Sequence, residues 1–164
     1  MLPPEGMNMK YNRKKLAFLL LPLLTGGLAG WITKDSIAQF AQIRKPVLSP
    51  PGWVFPVVWT LLYLLMGWAS YRFYLSAPDA RTRRRGLLLY LGQLAVNFLW
   101  PILFFSFRAY LPAFVWILLL WGLVLATTLS FFAADSPAGR AMLPYLLWVT
   151  FAAYLNLGVA LLNP

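Results

Sequence analysis

Three short patterns place polar-tipped side chains inside apolar runs. Trp59, Tyr63 and Met66 recur at i, i+4 and i+7, as do Gln93, Asn97 and Trp100, and again Trp148, Ala152 and Leu155. On a helix each trio shares one face. Amide groups are costly against hydrocarbon and turn toward other helices, where they either bond across a bundle or orient a polar group of a ligand. An indole as deep in a span as Trp59 needs an acceptor for its N–H, which favours an inward position. Ala152 leaves space beside Trp148. These residues offer stacking on a flat apolar face and a few directed hydrogen bonds, inside an otherwise apolar cavity.

Bond-making chemistry has little to work with. The chain contains neither histidine nor cysteine, so imidazole bases, thiolate nucleophiles, disulfides and zinc sites are excluded together. The acids are Glu5, Asp35, Asp79 and Asp135, each in a tail or between apolar runs. No carboxylate dyad or buried proton relay is expected from that placement.

The elements that position these residues must lie in a membrane. Of 164 residues, 61% are hydrophobic and 11% charged, less than half the charged content of an average soluble domain. Apolar segments long enough to span fall near Leu16 to Thr33 (16–33), Trp53 to Leu75 (53–75), Gly86 to Phe107 (86–107), Leu111 to Ala133 (111–133) and Met142 to Leu162 (142–162). Their length and their Leu, Ala, Phe and Trp content predict five transmembrane helices in a single all-α domain; a barrel would need alternating segments of about 10 residues. A cleaved signal peptide is the competing reading of the first span, but its apolar run is long for one. Pro22, Pro56, Pro101 and Pro144 should bend or cap helices rather than destroy them. Gly26 and Gly30 form a GxxxG pair in the first span, suited to packing within the monomer, to a homodimer contact or to a ligand wall.

The net charge of +10 follows the same plan. Lys10, Arg13, Lys14, Lys15, Arg72, Arg81, Arg83, Arg84, Arg85 and Arg140 fall on one side of the predicted bundle, and Lys34, Arg44, Lys45 and Arg108 on the other. The positive-inside rule then predicts a cytoplasmic N-terminus and an external first loop. Short basic stretches beside apolar spans suit anionic lipid, and no nucleic acid partner is expected.

The stretches "KPVLSPPGWVFPVVWTLLYLLMG", "GQLAVNFLWPILFF" and "SPAGRAMLPYLLWVTFAAYLN" resemble, in order and spacing, the signatures of the TspO/MBR family of tryptophan-rich sensory proteins and translocator proteins, also called peripheral-type benzodiazepine receptors. The similarity runs from the first span to Asn156. It implies a five-helix membrane bundle, commonly a homodimer, that binds protoporphyrin IX or another tetrapyrrole, and in some members a sterol or synthetic ligands. By the match, Trp59 and Trp148 occupy the positions of paired cavity tryptophans. Tyr63, Gln93, Asn97, Trp100, Ala152 and Leu155 lie at or near cavity positions, with Phe40 and Pro51 added from the loop side. The proline-rich segment Pro46 to Gly52 would form a stiff lid over the mouth.

Two departures stand out. Leu48 occupies a loop position where the family usually has tryptophan, and the tail "LGVALLNP" lacks the tyrosine and basic residue of the animal cholesterol motif. The expected role is therefore a receptor or sensor binding porphyrin as a ligand, with no resident cofactor. Without imidazole, metal-free porphyrin is favoured over haem. The alternatives are a light- and oxygen-dependent porphyrin-degrading catalyst using Trp59 and Trp148, or a translocator of porphyrin or sterol. No inverted repeat or intramembrane charge supports active transport. The expected setting is a bacterial plasma membrane, with an outer membrane as the alternative.

Overall fold

A computed structural model describes the backbone over residues 5–40 and 42–164, with side chains from Asn12 onward apart from Gln39. Five helices account for almost all of it: α1 (Glu5–Phe40), α2 (Val54–Ser76), α3 (Ala80–Pro101), α4 (Tyr110–Ala134) and α5 (Ser136–Leu162). A π-helical turn, Ile102–Ser106, continues α3. Each helix contains a segment apolar and long enough to cross a bilayer, with mean hydropathy from 1.5 to 2.2. The chain is an integral multi-pass membrane protein. Large apolar side chains such as Leu24, Trp31, Leu61, Leu111 and Leu147 point outward, as they must when the surrounding solvent is hydrocarbon.

Helix starts are set by caps that hydropathy does not register. Asp79 accepts hydrogen bonds from the Thr82 N–H at 2.9 Å and the Thr82 hydroxyl at 2.7 Å. Consequently α3 begins at Ala80 rather than near Gly86, and the Arg81–Arg85 cluster lies in its first turns. Asp135 ends α4 and caps α5 by accepting from the Ala138 N–H at 3.0 Å, so one residue joins two helices where a longer connection was expected. Side-chain oxygens at these positions satisfy N–H groups that helix geometry leaves open.

The first helix is part of the bundle. At 36 residues it is about 54 Å long, against about 30 Å of hydrocarbon, and so projects beyond the apolar layer. Pro22 cannot donate to the Phe18 carbonyl, which instead lies against α2 at Gly67. A Cβ at Gly67 would stand 2.8 Å from both the Phe18 oxygen and the Leu19 Cα. Gly67, and not the GxxxG pair alone, therefore sets how closely α1 and α2 approach. Gly26 faces Tyr63, whereas Gly27 and Gly30 meet nothing within 4 Å.

Packing concentrates α2, α3, α4 and α5 around Met66, Phe73, Leu120, Val124, Phe131 and Tyr145, all buried. At the end of the bundle holding the helix joints, Asp135 also accepts from Arg72 Nε at 2.7 Å and Nη2 at 3.0 Å. This bidentate pair ties α2 to the start of α5 and holds the Asp135 carboxyl below its usual range, assisted by the Ala138 N–H.

Candidate functional site

The sequence-predicted residues of the middle bundle converge. Trp59 stacks on Tyr63 with ring centroids 5.5 Å apart and planes at 28°, and meets Tyr145 edge-on at 6.1 Å. Gln93 is completely buried. Its Oε1 accepts from the Tyr145 hydroxyl at 2.8 Å, and its Nε2 points at Met66 Sδ 3.9 Å away. One turn further on, Asn97 Nδ2 donates to the Tyr63 hydroxyl at 3.4 Å, a long and therefore weak bond. These amides link α3 to α2 and α5, as intramembrane amides do when another helix can satisfy them.

On α5, Trp148 is half-buried, while Ala152 and Leu155 are buried. Trp148 meets Phe55 edge-on at 6.0 Å and packs on Phe151 at 5.6 Å. Its indole Nε1 is buried and has no hydrogen-bond partner among the described residues. A buried N–H without an acceptor forfeits the bond it made with water. Ala152 belongs to the core cluster against which Trp59, Tyr63, Trp100 and Trp148 pack. Flat ring faces, a small residue and one unspent donor thus share a patch of the bundle interior.

Trp100 sits at the loop end of this patch. Its Nε1 donates to Asn156 Oδ1 at 3.0 Å, and Asn156 Nδ2 donates to the Tyr110 carbonyl at 2.7 Å. Tyr145 and Asn156 are central residues that the sequence reading passed over. Both lie on the stripe that carries Val149 and Ala152, at helical spacing, so the periodicity of α5 contained the signal.

Phe40 and Pro51 are not brought into this group. Phe40 lies against Phe104 and Phe105 of the π-turn, at 5.3 and 5.2 Å, and reaches Trp100 through Phe104, which stacks on that indole at 5.2 Å. Pro51 is exposed, and its carbonyl accepts from the Val54 N–H at 3.0 Å where α2 starts. A cavity of about 480 Å³ opens beside Phe40, lined also by Phe104, Phe105, Arg108 and Tyr110.

The first loop is latched to the end of α5. The Arg44 N–H donates to Asn163 Oδ1 at 3.1 Å, and Asn163 Nδ2 returns a bond to the Arg44 carbonyl at 2.8 Å. The Tyr154 hydroxyl donates to the Val47 carbonyl at 2.8 Å. Pro46 rests on Gly158, where a Cβ would stand 2.5 Å from the proline ring. Ser49 N–H closes a turn onto the Pro46 carbonyl at 3.3 Å, with Leu48 at φ 70° and 75% exposed. A positive φ at the third position is the mark of a type II turn. Leu48 points away from the protein, so the residue standing in the usual tryptophan position takes no part in the interior patch.

Comparison with known proteins adds an independent finding. The model of the TspO/MBR family matches residues 18–162. The tryptophan-rich protein TspO of Chlorobaculum tepidum is 35% identical over 151 residues, 91% of this chain and 96% of its own. The translocator protein of Bos taurus is 36% identical over 143 residues, 86% and 85% of the two chains. The tryptophan-rich sensory protein of Cereibacter sphaeroides is 37% identical over 124 residues, 76% of each.

Proposed function

The chain belongs to the TspO/MBR family, and from that premise we propose that it is a receptor or sensor that binds a metal-free porphyrin, protoporphyrin IX among them, in the aromatic patch between α2, α3 and α5. The observation that carries this reading is the orphaned Nε1 of Trp148. A ligand acceptor placed there would supply the hydrogen bond that the surrounding side chains do not. The rings of Trp59 and Tyr63 suit contact with a flat macrocycle, and the small side chain of Ala152 adds little bulk on the same face of α5 as Trp148. The 3.4 Å bond from Asn97 to the Tyr63 hydroxyl is weak enough to yield to a polar group of a ligand. Arg44 and Lys45, in the loop above, are cations available to the propionates.

The family resemblance extends the proposal to a homodimer, and the open faces of Gly27 and Gly30 suit a close helix contact. The proposed setting is a bacterial plasma membrane with a cytoplasmic N-terminus, a reading supported by the segregation of basic residues under the positive-inside rule.

The test is a dark titration of the purified protein with protoporphyrin IX, read by tryptophan fluorescence. Saturable quenching is expected. Trp148→Phe, which keeps the ring and removes the donor, should weaken it about tenfold, and Ala152→Phe should abolish it by filling the space. No saturable quenching, or equal affinity in all three proteins, rejects the site. Illuminating the same samples separates binding alone from porphyrin breakdown, which would appear as bleaching that needs Trp59 and Trp148.

A further inference from the structure

The cavity of about 480 Å³ at the loop end belongs to neither the aromatic patch nor the latch. Its walls come from three places: Phe40, Gln42 and Ile43 at the end of α1 and the start of the loop, Phe104 and Phe105 in the π-turn, and Arg108 and Tyr110 at the joint to α4. Phe40 touches both Phe104 and Phe105, which stand edge-on to each other at 4.9 Å. Tyr110 meets Phe104 edge-on at 5.2 Å. Aromatic rings therefore form one side of the cavity, and Ser36, Gln42 and Arg108 supply polar groups on the rest.

The backbone that forms this wall is irregular in a way that positions a cation. The Phe107 N–H bonds the Ile102 carbonyl at 3.0 Å, and the Ala109 N–H bonds the Leu103 carbonyl at 3.0 Å. The widened turn ends at Arg108, whose φ is 50°. Glycine fills such a helix-terminating position without steric cost, whereas arginine does not. The turn places Arg108 on the cavity wall. The surrounding charge agrees. Lys34, Arg44, Lys45 and Arg108 gather at this end, and Asp35 is the one acid near them among the described residues. Lys45 Nζ lies 5.1 Å from the Phe40 ring centre. A cationic ligand is disfavoured there and an anionic one favoured.

We propose that this cavity is a second binding site, for an anionic amphiphile whose apolar body lies on Phe40, Phe104 and Phe105 and whose carboxylate or phosphate meets Arg108. The same chemistry is found in a free long-chain acid and in the headgroup region of an acidic phospholipid. The site adjoins the aromatic patch, since Phe104 stacks on Trp100 at 5.2 Å, but none of its lining residues is Trp59, Tyr63 or Trp148.

The experiment uses the full chain in phosphatidylcholine nanodiscs at alkaline pH, with palmitate carrying a diazirine on its chain, and maps adducts by peptide mass spectrometry. Saturable adducts are expected on residues 36–43 and 102–110, competed by unlabelled palmitate. Arg108→Asn removes the charge but suits the left-handed backbone, and should lower labelling about tenfold. Arg108→Lys should restore most of it, and Ile43→Trp should remove it by filling the cavity. A parallel arm with photoreactive phosphatidylglycerol identifies the source: adducts there assign the lipid headgroup, and adducts with palmitate alone assign the free acid. Labelling of these segments no stronger than elsewhere on the lipid-facing surface overturns the proposal, as does labelling unchanged by both Arg108→Asn and Ile43→Trp. Melting temperature and the protoporphyrin titration, run on each variant, report fold and the other site separately. If Arg108→Asn fails to fold, Arg108→Lys against Ile43→Trp decides the same question.

Discussion

Gln93 and Tyr145 form a buried pair whose worth depends on both members being present. Replacing Gln93 by Leu strands the Tyr145 hydroxyl, whose bond to Gln93 Oε1 is 2.8 Å long. Such an orphan costs about 1–3 kcal/mol, toward the low end where helices in a membrane find other partners. Tyr145→Phe added to Gln93→Leu removes the orphan, so thermal unfolding in detergent should show the double variant more stable than Gln93→Leu alone. The inward direction of Gln93 and Asn97 was legible because amides inside apolar runs have few other places to go. Their partners were not, because Tyr145 and Tyr63 come from different helices and pairing between them depends on the packed geometry. The displaced position of Phe40 was illegible for a similar reason: nothing in "FFSFR" announces a π-turn that draws Phe104 and Phe105 across its path.

Among the elements, the number and type of helices follow from the bilayer's demand that every backbone polar group be satisfied within a span. Their starts do not, since arginines read as loop until a cap such as Asp79 lets them occupy a first turn. Asp135 gives this a measurable form. Its carboxyl is held low first by Arg72 and also by the Ala138 N–H, and Asp79 is held low by Thr82. A carboxyl depressed by folding stabilises the fold above its unfolded pKa and loses that contribution as pH falls through the folded value. The melting temperature should therefore drop as pH falls below about 4, and the Asp79→Asn, Asp135→Asn double variant should lack that drop. The α1–α2 contact makes a second prediction. Gly67→Ala drives a methyl group into the Phe18 carbonyl and Leu19 backbone and should destabilise by about 1–3 kcal/mol. Gly30→Ala, whose methyl group meets nothing within 4 Å among the described residues, should not lower the monomer's stability; a shift in cross-linked dimer would then report on association.

For the whole molecule, both ends of α5 are held by polar ties, to Arg72 of α2 at one and to the first loop at the other. The loop's proline content was legible as stiffness, but its docking on Gly158 and Asn163 required two stretches more than a hundred residues apart to meet. Asn163→Ala removes a reciprocal pair of hydrogen bonds to Arg44, together worth about 1–2 kcal/mol. Protoporphyrin IX should then associate about tenfold faster, as read by stopped-flow fluorescence, if it enters beneath the loop. An association rate that does not change would direct attention to entry between helices from the lipid.

The latch has an effect on selectivity that differs from its effect on strength. Where a ligand is admitted only by the unlatched form, the observed dissociation constant is the intrinsic one divided by the fraction of molecules unlatched. That fraction is a property of Arg44, Val47, Tyr154 and Asn163, and not of the ligand. Weakening the latch would therefore shift every such ligand's affinity by a common factor and leave the ranking among ligands untouched. Selection could thus retune sensitivity through four residues at the bundle's edge while leaving discrimination, which resides around Trp59 and Trp148, as it was.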